Sequence, residues 1–222
     1  MGVEKIRRPV LTPAIEAAQV NTDHVDLRTT FLDGVLEGRL QWNAEDGTLE
    51  YGLPGGNVVL QVGQEHVVKV VNKTGDDIPN GTPIYVIGAQ GSRPKIAPAK
   101  ADSIITTGVV GMTTEAIVKN ASGYVTTVGL VRSVRTIDWI AGTLLYLSST
   151  VAGGLTSTRP IAPDFTVFVG YVLFQSGDDG VIIVSPIIIP RLLSLSDVLE
   201  GNPDNGDTIR WSTANQRFEL GP

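Results

Sequence analysis

The chain has 222 residues, a formal net charge of −6, 25 Gly, 13 Pro, two His and no Cys. Only 18% of its residues are charged, below the usual quarter, and β-branched runs such as Val58 to Val62 and Val181 to Val184 alternate with turn formers, so the composition predicts an all-β fold. It excludes a disulfide framework, a thiolate metal site and a cysteine nucleophile, restricts any Ser-His-Asp chemistry to His24 or His66, and makes nucleic acid an unsuitable partner for so acidic a chain.

Residues 1–36 read as an extended docking arm. Pro9 and Pro13 hold the residues before them extended. Thr12 is placed to cap a short helix with Pro13 in its first turn. Lys5, Arg7 and Arg8 concentrate positive charge that the rest of the chain lacks. Pro9, Pro13 and Glu16 break the first apolar stretch, so no secretory signal is expected. Ile6 stands where a myristoylation signal has Ser or Thr. The longest apolar stretch, Val181 to Leu193, is interrupted by Ser185, Pro186, Pro190 and Arg191 and falls short of the roughly 20 residues a membrane span needs. A soluble protein without a membrane partner is the expectation.

Residues 37–63 carry a β-hairpin. Leu40 and Trp42 alternate with Arg39 and Gln41, Asp46-Gly47 supplies the turn, and Leu49 and Tyr51 alternate with Thr48 and Glu50. A further strand places Val58, Leu60 and Val62 on one face. The C-terminus repeats the pattern: Ile209 and Trp211, a turn at Thr213 to Gln216, then Phe218 and Leu220. Trp42 and Leu49 are spaced as Trp211 and Phe218 are, in a chain with only three Trp.

Residues 64–186 hold a second repeat, with landmarks recurring roughly every 60 residues. Gly81 to Tyr85 is echoed by Gly142 to Tyr146, Arg93 to Pro98 by Arg159 to Pro163, Val109 to Met112 by Phe168 to Tyr171, and Gly123 to Val128 by Gly180 to Val184. Each copy should contain about four short strands, and two copies that cover each other predict one pseudo-twofold β-barrel. In the connector that opens 187–222, Pro186 and Pro190 stop Ile187 to Ile189 from pairing as a central strand. Ser196 is placed to cap a helical turn over Ser194 to Leu199.

Catalytic patterns are missing. There is no Walker loop, no nucleophile elbow, no zinc helix motif and no dinucleotide fingerprint. Asp23, His24 and Asp26 lie in the arm, and Glu65-His66 at the entry to the body reads as an edge strand. Asp76-Asp77 and Asp178-Asp179 sit in turns, where Asp bonds to backbone, and Asp204, Asn205 and Asp207 lack the bidentate Glu of a calcium loop. Neither a cofactor nor a metal is expected, and no catalytic residue. One alternative of another class is a carbohydrate-binding module for host glycans, for which Trp139 beside Asp138 is the candidate platform.

The stretch from Glu37-Gly38-Arg39-Leu40-Gln41-Trp42-Asn43 to Gly63-Gln64-Glu65 resembles tailed-bacteriophage virion proteins of the tail-fibre-like, head-fibre or decoration kind. So do Val70 to Gly75, Ile78 to Thr82 and Gly123 to Thr127, and Leu195-Ser196-Asp197-Val198 followed by Gly206-Asp207 and Trp211. The resemblance implies a homotrimeric, non-enzymatic structural protein on the virion surface, assembled in the host bacterial cytoplasm. Its partners would be itself and the major capsid protein or another virion protein. A capsid decoration or short head-fibre role is expected first, and a tail-fibre or baseplate adaptor second. The trimer interface is then expected at Leu40, Trp42, Leu49, Tyr51, Ile209, Trp211 and Phe218, and virion docking at Lys5, Arg7 and Arg8.

Overall fold

The computed structural model describes residue 27, residues 36–198 and residues 204–221. The arm, with Lys5, Arg7, Arg8, its expected helix and the Asp23-His24-Asp26 group, therefore lies outside the described residues, as do Leu199 and Glu200. The strands are β1 (Leu40–Asn43), β2 (Thr48–Gly52), β3 (Val59–Val62), β4 (His66–Asn72), β5 (Pro83–Gln90), β6 (Arg93–Pro98), β7 (Val109–Thr113), β8 (Ser122–Val134), β9 (Leu144–Leu147), β10 (Leu155–Thr156), β11 (Thr166–Phe174), β12 (Gly180–Ile189), β13 (Thr208–Ser212) and β14 (Arg217–Gly221). Among the described residues the single helical element is a 3-10 turn at Leu192–Ser194, and no helix is long and apolar enough to cross a membrane. The protein is all-β, with one large sheet.

Strands β1 to β3 form a small antiparallel sheet, β13 and β14 a two-stranded one, and the nine strands between them a single sheet ordered β10-β9-β11-β12-β8-β4-β6-β5-β7, with β7 also paired to β8. The internal repeat is visible in the register. In the first copy Pro83 pairs with Met112, Ile84 with Gly111, Tyr85 with Val109, and Met112 with Thr126. In the second, Leu144 pairs with Tyr171, Leu145 with Gly170, Tyr146 with Phe168, and Tyr171 with Ile183. These are the same pairs, and the same bulge skips Val110 in one copy and Val169 in the other.

Two glycines mark the close approach that this register imposes. A Cβ on Gly111 would strike the carbonyl oxygen of Thr126, and a Cβ on Gly170 that of Ile183, which is the equivalent carbonyl. Neither glycine is needed for its backbone angles; both are needed because the neighbouring strand lies where a side chain would start.

Strand β8 serves both copies. Its first half, Ser122 to Val128, pairs with β4, and its second half, Gly129 to Val134, pairs with β12. Val67 thus stands opposite Thr126 as Leu130 stands opposite Ile183. The copies differ at their far ends. In the first, β6 pairs with both β5 and β4, so the pairings run from β8 through β4, β6, β5 and β7 and return to β8. In the second, β10 has two residues and pairs with β9 alone, and the segment Arg159 to Pro163, matched in sequence to β6, is not a strand.

Cover between the copies is consequently one-sided. The first copy encloses Val70, Ile78, Ile84, Ile96, Ile117 and Val125. A second cluster joins Leu145, Leu147, Val167, Val169, Val172, Ile182 and Val184 of the second copy to Val109, Met112, Ala99 and Ala101 of the first. The inner face of copy two lies on the outer face of copy one.

Two local expectations are corrected, and a third holds in part. Ile187 to Ile189 lie at the end of β12 rather than in a connector, but they pair on one side only, with Phe168, Val167 and Thr166, because Pro186 falls at a register shift and β8 turns from β12 to β4 beyond Gly129. The helical turn lies at Leu192–Ser194, before Ser196, with Arg191 at its start. Val58 parts from Leu60 and Val62: it precedes β3, outside the pleat, and is buried.

Because the glycine constraint is shared, Gly170→Ala and Gly111→Ala are expected to cost about 2 kcal/mol or more each. Urea unfolding monitored by circular dichroism checks this, and a loss below about 0.5 kcal/mol in either would show that the register relaxes freely.

Candidate assembly interface

The pleat sorts the first small sheet into two faces. Leu40 opposite Tyr51, Trp42 opposite Leu49, Leu49 opposite Val62 and Tyr51 opposite Leu60 place six apolar side chains on one side. Gln41 opposite Glu50, Asn43 opposite Thr48 and Glu50 opposite Gln61 fill the other. The polar side faces the protein. Gln41, Thr48 and Gln61 are buried, whereas Leu40 is 52% exposed and Tyr51 and Val62 are also exposed. Hydrophobic-in and polar-out, the usual arrangement for a half-covered sheet, is reversed here.

A buried carboxylate fixes that orientation. Glu65, its side chain 2% exposed, accepts the backbone N–H of Gln61 at 3.0 Å and a bond from Arg132 at 2.6 Å. The other arm of the Arg132 guanidinium donates to Gln61 Oε1 at 2.9 Å, and Gln61 Nε2 in turn donates to Asp46. Glu65 lies between β3 and β4, Arg132 on β8 of the body. The clamp therefore ties the polar side of the small sheet to the nine-stranded sheet. Sequence reasoning missed this pair: Glu65 stands between Gln64 and His66 with nothing local to mark it as buried, and Arg132 joins it across 67 positions. Between the sheet and the body lies a cleft of about 1220 Å³ lined by Glu45, Asp46, Glu50 and Glu115 together with Arg132.

The C-terminal hairpin is built alike. Ile209 opposite Leu220 and Trp211 opposite Phe218 share one face, with Trp211 and Phe218 edge to face at 5.2 Å. Trp211 is 49% exposed, and Ile209 and Phe218 are exposed too. The turns match as well. Asn43 Oδ1 accepts the N–H of Glu45 and Asp46, and Ser212 Oγ accepts the N–H of Asn215. Each loop ends on a left-handed residue, Gly47 at φ 65 and Gln216 at φ 52. Phe218 N–H donates to Asp197 O, and Val198 bridges Phe218, which holds the hairpin to the chain before it.

Of the expected interface, then, Leu40, Trp42, Leu49 and Tyr51 meet on one face and Ile209, Trp211 and Phe218 on another, while Leu60 and Val62 extend the first. The candidate docking residues Lys5, Arg7 and Arg8 lie outside the described residues.

The polar candidates are occupied structurally. Asp77 accepts the N–H of Lys119, the N–H groups of Asp178 and Asp179 donate to Ser176 Oγ, and Asp207 accepts the N–H of Asp204, so these acids belong to turns. His66 is exposed at the start of β4, opposite Val128. Among the described residues no three His, Cys, Asp or Glu are grouped as metal ligands. Trp139 is half-buried against the second core cluster rather than displayed as a platform. Asp138 beside it bonds to Arg135, which holds its carboxyl below the ordinary value and keeps it ionised.

Comparison with known proteins adds no relative: no family model, curated protein or solved structure matches the chain.

Replacing Glu65 leaves the Gln61 N–H and half of the Arg132 guanidinium without their acceptor. Glu65→Ala is expected to cost about 2 kcal/mol, reduced from the 3–5 of a fully buried pair because Arg132 is partly solvated. Amide hydrogen exchange should show lost protection at Gln61 and along β3, and retained protection there would contradict the clamp.

Proposed function

We propose that the protein is a non-enzymatic, homotrimeric structural protein of a tailed-phage particle, of the capsid decoration or short head-fibre kind. The observation that carries the assembly reading is the outward apolar face on each terminal sheet, with Trp42 in one and Trp211 in the other. A two-stranded hairpin is marginal in water, and contiguous exposed apolar faces signal contact with another surface. Three copies converging on an axis would bury Leu40, Trp42, Leu49 and Tyr51, and separately Ile209, Trp211 and Phe218. Each half-exposed side chain adds about 1 kcal/mol on burial, so several per chain are needed to exceed the cost of association, about 4–15 kcal/mol.

The virion assignment rests on the sequence resemblance from Glu37 to Trp211. In this reading residues 64–186 are a duplicated barrel forming the projecting body. Residues 1–36 dock on the major capsid protein or another virion protein, with Lys5, Arg7 and Arg8 meeting an acidic surface. No catalytic role is assigned.

Light scattering of the purified chain at micromolar concentration should give three times the 23.6 kDa chain mass. The double variant Trp42→Ala, Trp211→Ala should give monomer or aggregate with unchanged far-ultraviolet dichroism. A variant that remains a trimer would sink the hairpin interface, and particles that assemble without the protein anywhere on their surface would sink the virion role.

A further inference from the structure

The repeat exposes a third apolar face, one that neither hairpin contributes to. In copy one the outward row across β5, β7 and β8 is Pro83, Met112 and Thr126, each opposite the next. Copy two covers it: Met112 is 0% and Thr126 1% exposed, and Met112 packs in the second core cluster. The equivalent row in copy two is Leu144, Tyr171 and Ile183, continued by Leu130 on β8. It carries larger apolar groups and no described residue covers it, with Leu144 44%, Tyr171 42% and Ile183 37% exposed. Phe168 packs edge to face on Tyr171 at 4.9 Å, so the patch is pre-arranged rather than loose.

A side chain that ends a stack of repeats is normally polar, because nothing follows it. Here the opposite holds.

We infer that the Leu144-Tyr171-Ile183 face is a contact surface for a second copy of this chain. Two observations select that occupant. The row contains no charged side chain, and chains of net charge −6 can approach closely only where they present uncharged surface, whereas an unlike partner would be better recognised through complementary charge. With its neighbours Phe174 and Ile187, the face also offers on the order of 500 Å² of apolar surface, well over half of the roughly 800 Å² that each partner contributes to a standard interface. The separate hairpin faces, buried in the same self-association, can supply the remainder. The inference deepens the assembly reading, and takes from it that this chain associates with itself.

The test uses the full chain with the photo-crosslinking residue p-benzoylphenylalanine at Tyr171, at Trp42, or at exposed Val118 as a control for random collision. Irradiation at micromolar concentration should give covalent dimers from positions 171 and 42 and none from 118. Dimers from 42 without any from 171 would overturn the contact proposed here and leave the hairpin interface standing. Dimers from 171 alone would do the reverse. Capture by position 171 of the same chain's residues 1–26, or of nothing, would also overturn it. In parallel, Tyr171→Glu should weaken self-association at least tenfold by sedimentation equilibrium, with unchanged dichroism. Unchanged association would contradict the inference.

Discussion

The arrangement depends on one buried carboxylate. Glu65 cannot be desolvated without donors, and the donors it finds are the backbone of β3 and the guanidinium of Arg132 on β8. Once those bonds are made, the polar side of the first small sheet must face the body. The period of two along each strand then leaves no choice for the rest: Leu40, Trp42, Leu49, Tyr51, Leu60 and Val62 point away from the protein. A one-residue slip would bury the aromatic face and expose Gln41 and Gln61, but it would also strand Glu65. The exposed apolar face is thus a consequence of the Glu65 clamp on the opposite side, not a packing defect.

The body shows how a repeat can be closed at one end and open at the other. Both copies share register, bulge and glycine, and both use β8, yet only the first has a full-length β6 to reach β4. Where the matched segment contains Pro160 and Pro163, the second copy lacks that strand. Proline alone does not separate the copies, because β6 carries Pro94 and Pro98 and still pairs with β5 on one side and β4 on the other. The difference in closure goes with the difference in burial: copy two's inner face is satisfied by packing on copy one.

Much of this was legible in the residues. The hairpins were readable because alternation and turn chemistry are local: Trp42 and Leu49, or Trp211 and Phe218, lie within one turn of each other. The body repeat was readable because Gly111 and Gly170 mark the same steric requirement. What could not be read was long-range. Alternation says that Gln41 and Trp42 face opposite ways but not which side meets the body, and that answer sits in Arg132, on another strand. The double use of β8 was hidden for the same reason, since its 13 residues read as one strand while pairing changes partner midway. Ile187 to Ile189 do avoid a central place, but their one-sided pairing with β11 was not legible, because it depends on β8 turning to β4 beyond Gly129.

These features share an electrostatic logic. The chain is acidic, and the described cleft beside the clamp gathers Glu45, Asp46, Glu50 and Glu115. Surfaces of that kind keep like copies apart. The three faces that could bring copies together, Trp42's, Trp211's and Tyr171's, are each built from cross-strand apolar pairs. Polar and charged partners occupy the reverse side of the first two, as Gln41 with Glu50 and Arg210 with Glu219. Repulsion over most of the surface raises the specificity of contact at the few uncharged faces, because any misplaced approach sets carboxylate against carboxylate. Association of such a chain should therefore strengthen with salt, which screens the repulsion without weakening apolar burial.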